Sequence, residues 1–86
     1  MSIALADRLN DGDYKYNDTH VSNVSANVSS NGAFLTIGSQ AFLYDAINDR
    51  YVSDPVPSVI ITWTDHGYRY TGVNSSTGFC TLYPNP

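Results

Sequence analysis

Hydrophobic and polar residues alternate most regularly between residues 24 and 39, where the sequence reads VSANVSSNGAFLTIGS. Asn31-Gly32 is a pair that two-residue type I′ hairpin turns favour, because both turn positions need a positive φ. With this pair as the loop, the apolar side chains of both strands share one face, and a one-residue slip would destroy that segregation. The pattern predicts a β-hairpin over 24–39. Its register pairs Val24 with Ser39, Ala26 with Ile37, Val28 with Leu35 and Ser30 with Ala33.

A second alternating segment, VIITWTDHGYRYTGV, predicts a hairpin over 59–73. Asp65-His66-Gly67 supplies a three-residue turn in which the glycine takes the left-handed position. Neighbours on a tight turn point in different directions, so the Asp-His pair is interpreted as turn and not as an acid–base pair. A two-residue His66-Gly67 loop, with Trp63 opposite Tyr70, is disfavoured because histidine suits a type I′ turn poorly. The favoured register pairs Thr64 with Tyr68, Trp63 with Arg69 and Thr62 with Tyr70.

The remaining segments also fit an all-β fold, and one of them is ambiguous. Residues 40–52 read either as one helical face or as two strands, AFLY and RYV, joined by DAIND; the tyrosines, valine and turn residues favour the strands. SDPVP predicts an extended connector and FCTLY a last strand. At the start, SIALADRL predicts a short helix capped by Ser2, so residues 1–18 read as an N-terminal arm, or short helix, with an acidic turn. The fold expected is one domain, 1–86: a small antiparallel all-β barrel or sandwich of about six strands.

Composition supports this class and narrows the functions. All eight acidic residues are aspartates, there is one lysine, and serine, threonine, asparagine and tyrosine are abundant. A net charge of −4 argues against nucleic-acid partners and against adsorption to anionic lipid. No apolar run approaches a membrane span and the start does not resemble a secretory signal. We therefore expect synthesis in the cytoplasm, with a virion as a further location, and no secretion by a signal peptide.

Few residues suggest chemistry. Cys80 is the only cysteine, which excludes an internal disulfide and a cysteine-based zinc site, and its apolar strand suggests a small buried hydrophobe. The acidic segment 7–18 is rich in oxygen ligands and invites a Ca²⁺ interpretation, but an EF-hand alignment on Gly12 puts Leu9 at a ligand position. We assign no metal and no cofactor. The weak Ca²⁺ candidates are Asp7, Asp11, Asp13 and Asp18.

The many tyrosines point to a contact role, since tyrosine brings area, a hydrogen bond and little rotamer entropy to an interface. The candidate contact face consists of Trp63, Tyr68, Arg69, Tyr70, Tyr44 and Tyr51. Glycine-rich phosphate loops and catalytic motifs are absent, so the chain is read as a non-enzymatic protein–protein assembly or binding module. We expect protein partners, either further copies in a homo-oligomer or a larger assembly on which it docks.

In general character, lysine-poor and Asn/Ser/Thr/Tyr-rich, the chain is similar to small accessory proteins of phage virions, such as capsid decoration or fibre-associated proteins. That likeness implies a structural protein of a virion. Two alternatives stay open: a small acidic inhibitor that docks on a basic surface of a host protein, and a small-ligand or Ca²⁺-binding β-domain.

Overall fold

The computed structural model describes residues 8–64 and 69–85, which form a closed antiparallel barrel in which each strand pairs with its sequence neighbours. The predicted all-β class and small antiparallel barrel are confirmed, with eight strands in place of about six. No residue in the described part of the chain is helical. The strands are β1 (Gly12–Asp18), β2 (Val24–Ser29), β3 (Phe34–Ile37), β4 (Gln40–Asp45), β5 (Arg50–Asp54), β6 (Ile60–Trp63), β7 (Tyr70–Asn74) and β8 (Gly78–Pro84).

Strand β1 corrects the prediction for the first 18 residues. Residues 12–18 are not an acidic turn but a strand that pairs with both β2 and β8, and this pairing closes the barrel. Tyr14 and Tyr16 point inward in alternation with polar residues, which is the period of two that a half-buried strand requires. The predicted N-terminal helix falls mostly on residues 1–7, outside the described residues. Its described part, Arg8 and Leu9, is not helical.

The hairpin predicted over 24–39 is confirmed. Val28 lies opposite Leu35, and the N–H of Ala33 donates to the carbonyl of Ser30 across the turn at 3.2 Å. Asn31 and Gly32 have φ of 58° and 82°, as a type I′ turn requires. The strand interpretation of 40–52 is also confirmed, since β4 and β5 pair on either side of a turn over 46–49.

Both registers considered for the 59–73 hairpin are wrong. Trp63 lies opposite Gly72 and Thr62 opposite Val73, while the turn residues Asp65, His66 and Gly67 are outside the described part. The favoured register would have put the Arg69 cation on the interior face beside Trp63, where desolvation is costly. The close approach of the β6 and β7 backbones also explains why residue 72 is a glycine. An added Cβ at Gly72 would lie 2.0 Å from the Thr62 carbonyl oxygen.

Large side chains fill the barrel interior. Tyr16 packs edge-on against Trp63 with ring centroids 6.4 Å apart, and Tyr14 packs in the same way against Tyr70 at 5.8 Å. Aromatic pairs favour this geometry, and each ring buries a large apolar area. The largest fully buried side chains are Trp63, Tyr51, Leu35, Ile61, Leu82 and Val28.

The segment before β1 closes the lower end of the barrel, which we define as the end where β1 begins. Leu9 is buried there, and its N–H donates to the Tyr51 hydroxyl at 3.0 Å. That hydroxyl in turn donates to the Gly32 carbonyl at 2.6 Å. The Asp11 carboxylate accepts the N–H groups of Asn31 and Gly32 at 3.1 and 2.8 Å. The β2–β3 turn and the N-terminal segment therefore hold each other in place.

Candidate contact surface

The predicted contact face is not assembled on the surface. Trp63, Tyr51 and Tyr70 lie in the interior, so their assignment as surface contacts is corrected. Tyr44 is half-buried; its hydroxyl donates to Asp49, and the Arg8 guanidinium lies 5.6 Å from its ring centroid. Aromatic residues occur on both the interior and the exterior face of a barrel. The sequence alone does not indicate which face a given aromatic residue occupies.

Of the two remaining candidates, Tyr68 is outside the described residues and Arg69 is exposed. The Arg69 guanidinium lies 5.1 Å from the centroid of the Tyr83 ring and donates to the Tyr83 hydroxyl at 3.0 Å. Through this cation–π contact, the Arg69 side chain interacts with the outer wall of its own barrel.

The hydroxyl groups of the interior tyrosines form hydrogen bonds with polar partners near the ends of the barrel. Tyr14 donates to the Asn10 carbonyl at the lower end, and Tyr16 donates to Asp18 at 2.7 Å at the other end. Burial raises the pKa of Tyr51 to about 12 and raises those of Tyr14 and Tyr16 further. These hydroxyls are therefore neutral structural donors over the whole physiological range.

Cys80 is buried, as the sequence predicted. Burial raises the pKa of its thiol to about 12, so the thiolate needed for nucleophilic attack is not populated near neutral pH.

The Ca²⁺ candidates do not converge. The Asp11 carboxylate binds the β2–β3 turn, Asp13 accepts from the Asn27 side chain at 2.9 Å, and Asp18 binds the β1–β2 loop. Asp7 is outside the described residues. Within 8–64 and 69–85, no three histidine, cysteine or acidic side chains lie close enough to hold a metal ion.

Asp18 anchors a small polar cluster at the upper end of the barrel. Its carboxylate accepts the Tyr16 hydroxyl and the N–H groups of His20 and Val21 at 2.7 and 2.9 Å. Asn74 donates to the Tyr16 hydroxyl at 2.8 Å and completes the cluster. Burial raises the pKa of Asp18, but the hydrogen bonds from Tyr16, His20 and Val21 outweigh it and hold the pKa below its usual range.

We expect Asp18 to make stability depend on acid pH. Because its pKa is lower in the folded state, the ionised carboxylate stabilises the fold fully above its ordinary pKa of 3.8, and the contribution is lost as the pH falls through the folded value. Asp18→Asn should cost about 1 kcal/mol at neutral pH, and this difference from the wild type should shrink as the pH falls below 3.8. Urea unfolding of both proteins across this range measures the difference, and parallel pH profiles would contradict the prediction.

Six of the eight strands carry apolar side chains on the outer wall of the barrel. The outward residues of β1 and β2 are polar, whereas every strand from β3 to β8 carries at least one outward apolar residue. Cross-strand pairs join these residues into a band, because each faces or is diagonal to the next. The band consists of Phe34, Leu43, Val52, Ile60, Val73 and Phe79.

Phe79 is the most exposed member of this band. Its side chain is 79% exposed, and Val73, directly opposite on β7, is 51% exposed. We call these two residues, with the neighbouring Thr71 and Thr81, the Phe79 patch. Sequence reasoning missed it, although Phe79 shares its face with Thr81 and Tyr83 and not with the buried Leu82. That alternation could have placed Phe79 outside.

A shallow groove runs along each side of the Phe79 ring. One groove lies toward β1 and is bounded by Asn17, Asp18 and Thr19. The other lies toward β6, encloses about 270 Å³ and has no charged lining residue. Its lining residues are Thr64, Thr71, Gly72, Val73, Phe79, Cys80 and Thr81. The patch is thus an apolar ridge between two grooves.

Within the described residues, no helix has the length and apolarity to cross a membrane. Comparison of the chain with protein-family models, with curated proteins and with solved structures finds no match.

Proposed function

We propose that this chain is a non-enzymatic protein–protein assembly module that binds its partner through the Phe79 patch. The observation that carries the proposal is the exposure of Phe79 beside Val73 on an otherwise well-packed barrel. Covering most of a phenylalanine side chain removes roughly 150 Å² of apolar surface from water, which is worth about 3 kcal/mol. Aromatic side chains, phenylalanine among them, are enriched at protein interfaces.

Strand addition is a poor alternative as the mode of contact. β1 and β8 pair with each other, so the part of the chain that the structure describes offers no unpaired strand to receive a partner's strand. Partners must then be recognised by outward side chains, and the Phe79 patch is the most exposed apolar part of the barrel wall.

The apolar character of the Phe79 patch favours assembly over electrostatic docking. An acidic inhibitor is steered to a basic surface by a cluster of carboxylates. The most exposed apolar part of the barrel wall is instead the Phe79 patch, which contains no charged side chain. A surface accessory of a larger assembly, such as a virion, fits the composition, and docking through an uncharged apolar patch fits that role.

Phe79→Ser should abolish partner binding and leave the fold intact. The ring is exposed, so the free energy of unfolding should change by less than about 0.5 kcal/mol. Val56→Ser is the matched control, because Val56 is 65% exposed but lies outside the Phe79 patch in the loop between β5 and β6.

Binding is measured with a photo-crosslinking amino acid at position 81, within the Phe79 patch, in cells that naturally express the chain. The proposal expects a discrete protein adduct, whether with a second copy or another protein, from the wild type and from Val56→Ser, and none from Phe79→Ser. Equal labelling of Phe79→Ser and the wild type, or no adduct from either, would refute it.

A further inference from the structure

The turn between β2 and β3 contains a chemically labile pair of residues. Asparagine is among the least durable side chains in proteins, because the backbone nitrogen of the next residue can attack its side-chain amide. Glycine at that next position hinders the attack least, since it has no Cβ. Asn31 is the only asparagine of the chain that a glycine follows. Its side chain is exposed, so water and dissolved bases reach it.

The fold itself requires this labile pair. Asn31 and Gly32 both have a positive φ, which suits asparagine and glycine better than any other residues. The N-terminal segment also packs closely against the turn, and an added Cβ at Gly32 would lie 2.5 Å from the Leu9 carbonyl oxygen. A bulkier residue that would slow the attack therefore does not fit at position 32.

The peptide unit that joins Asn31 to Gly32 is hydrogen-bonded on both sides. Its N–H donates to the Asp11 carboxylate at 2.8 Å, and its carbonyl accepts the Arg8 Nε–H at 2.7 Å. Attack on Cγ of Asn31 requires this peptide unit to rotate toward the asparagine side chain, which both hydrogen bonds resist. The negative charge of Asp11 also opposes the loss of the proton from the Gly32 nitrogen that must accompany the attack. The pair is therefore unreactive while both bonds are intact.

We propose that Asn31 is a deamidation site that reacts only when Asp11 and Arg8 release this peptide unit. A base in the solvent then takes the proton from the Gly32 nitrogen, which forms a bond to Cγ of Asn31. The bond from Cγ to Nδ2 breaks, and Nδ2 takes a proton from the solvent and leaves as ammonia. Water then adds to one of the two carbonyl groups of the cyclic imide, and the ring opens to aspartate or isoaspartate at position 31.

The reaction also keeps the lower end of the barrel open afterwards. Either product places a second carboxylate beside that of Asp11, and the two like charges repel each other. Isoaspartate in addition lengthens the backbone of the turn by one methylene group. The next carbonyl, that of Gly32, accepts the Tyr51 hydroxyl at 2.6 Å, and the same hydroxyl accepts the Leu9 N–H. Displacement of the turn therefore loosens the segment that closes this end.

The test is peptide mapping by mass spectrometry of purified protein, incubated at mildly alkaline pH, with the deamidation rate of Asn31 as the readout. The wild type should react at least about tenfold more slowly when folded than in urea. Among folded proteins, Asp11→Ala should react about tenfold faster than the wild type and Arg8→Met at least about threefold faster, because each loses a hydrogen bond to a charged group. Asp13→Ala is the matched control. It removes the same charge from a nearby exposed aspartate that accepts from Asn27, and it should leave the rate unchanged.

The two clamp variants change the net charge in opposite directions, so a faster reaction in both is due to the lost hydrogen bonds and not to the charge. Circular dichroism shows whether each variant is folded, and Arg8→Met decides alone if Asp11→Ala is not. In the deamidated wild type, separated by ion exchange, the Leu9 amide should exchange with solvent roughly tenfold faster than before. A folded wild type that reacts as fast as in urea overturns the proposal, as do folded clamp variants that react no faster than Asp13→Ala. Unchanged exchange at Leu9 overturns the opening of the lower end.

Discussion

Replacing Trp63 with alanine should lower the free energy of unfolding by about 3–5 kcal/mol. The indole is 0% exposed and packs edge-on against Tyr16 in the middle of the barrel. Gly72 lies opposite and has no side chain to refill the space, so the cavity cannot collapse easily. For 86 residues the total stability is about 4–13 kcal/mol, so this loss removes between about a quarter and all of it.

Urea unfolding followed by far-ultraviolet circular dichroism measures this loss, because the substitution removes the only tryptophan fluorophore. Thr62→Ala is the control. It changes the neighbouring outward residue of the same strand and should cost less than about 1 kcal/mol. A Trp63→Ala protein as stable as this control would show that the barrel interior does not depend on the indole.

Removing one oxygen from Tyr51 should destabilise the protein by about 2–4 kcal/mol. In Tyr51→Phe the Leu9 N–H loses its acceptor and the Gly32 carbonyl loses its donor. Both groups are buried, and an unsatisfied buried polar group costs about 1–3 kcal/mol. The closure of the lower end should weaken as well, so the Leu9 amide should exchange with solvent faster than amides in the middle of β8.

Tyr83→Phe is the matched control for this oxygen deletion. Among the described residues, the Tyr83 hydroxyl accepts a hydrogen bond from the exposed Arg69, which water can replace, so its loss should change stability by less than about 0.5 kcal/mol. Equal stability of the two variants in urea would contradict the role given to Tyr51.

The short-range sequence pattern predicted the structure correctly where the turn residues and the alternation of apolar and polar residues indicate the same register. Asn31-Gly32 fixed the first hairpin to the residue, because only one register keeps both turn positions and both apolar faces compatible. For the second hairpin the paired strands were predicted, but their register was wrong. The favoured turn was locally acceptable, whereas the observed register places Gly72 against the Thr62 backbone, a contact between strands that no local signal encodes.

The candidate site was less predictable than the fold. Tyrosine and tryptophan suit interiors and interfaces alike, so composition could not separate Tyr51, which braces the end of the barrel, from a surface contact. Phe79 was visible as part of an apolar strand, yet its exposure depends on the face that β8 turns outward in the closed barrel. The acidic segment suggested a Ca²⁺ site for a related reason. Asp11 and Asp18 are close in sequence, but their carboxylates accept hydrogen bonds at opposite ends of the barrel.

The sequence by itself determined the all-β class, the first hairpin with its Asn31-Gly32 turn and the two strands within 40–52, because these depend on φ preferences and on a period of two. Only the tertiary structure decided the closure of β1 on β8, the plugging of the lower end by Leu9 and the side of the wall on which each aromatic lies. Closure joins residues far apart in the chain, and a barrel gives each strand one interior and one exterior. Which half of each alternation is buried is settled when all eight strands share a single core.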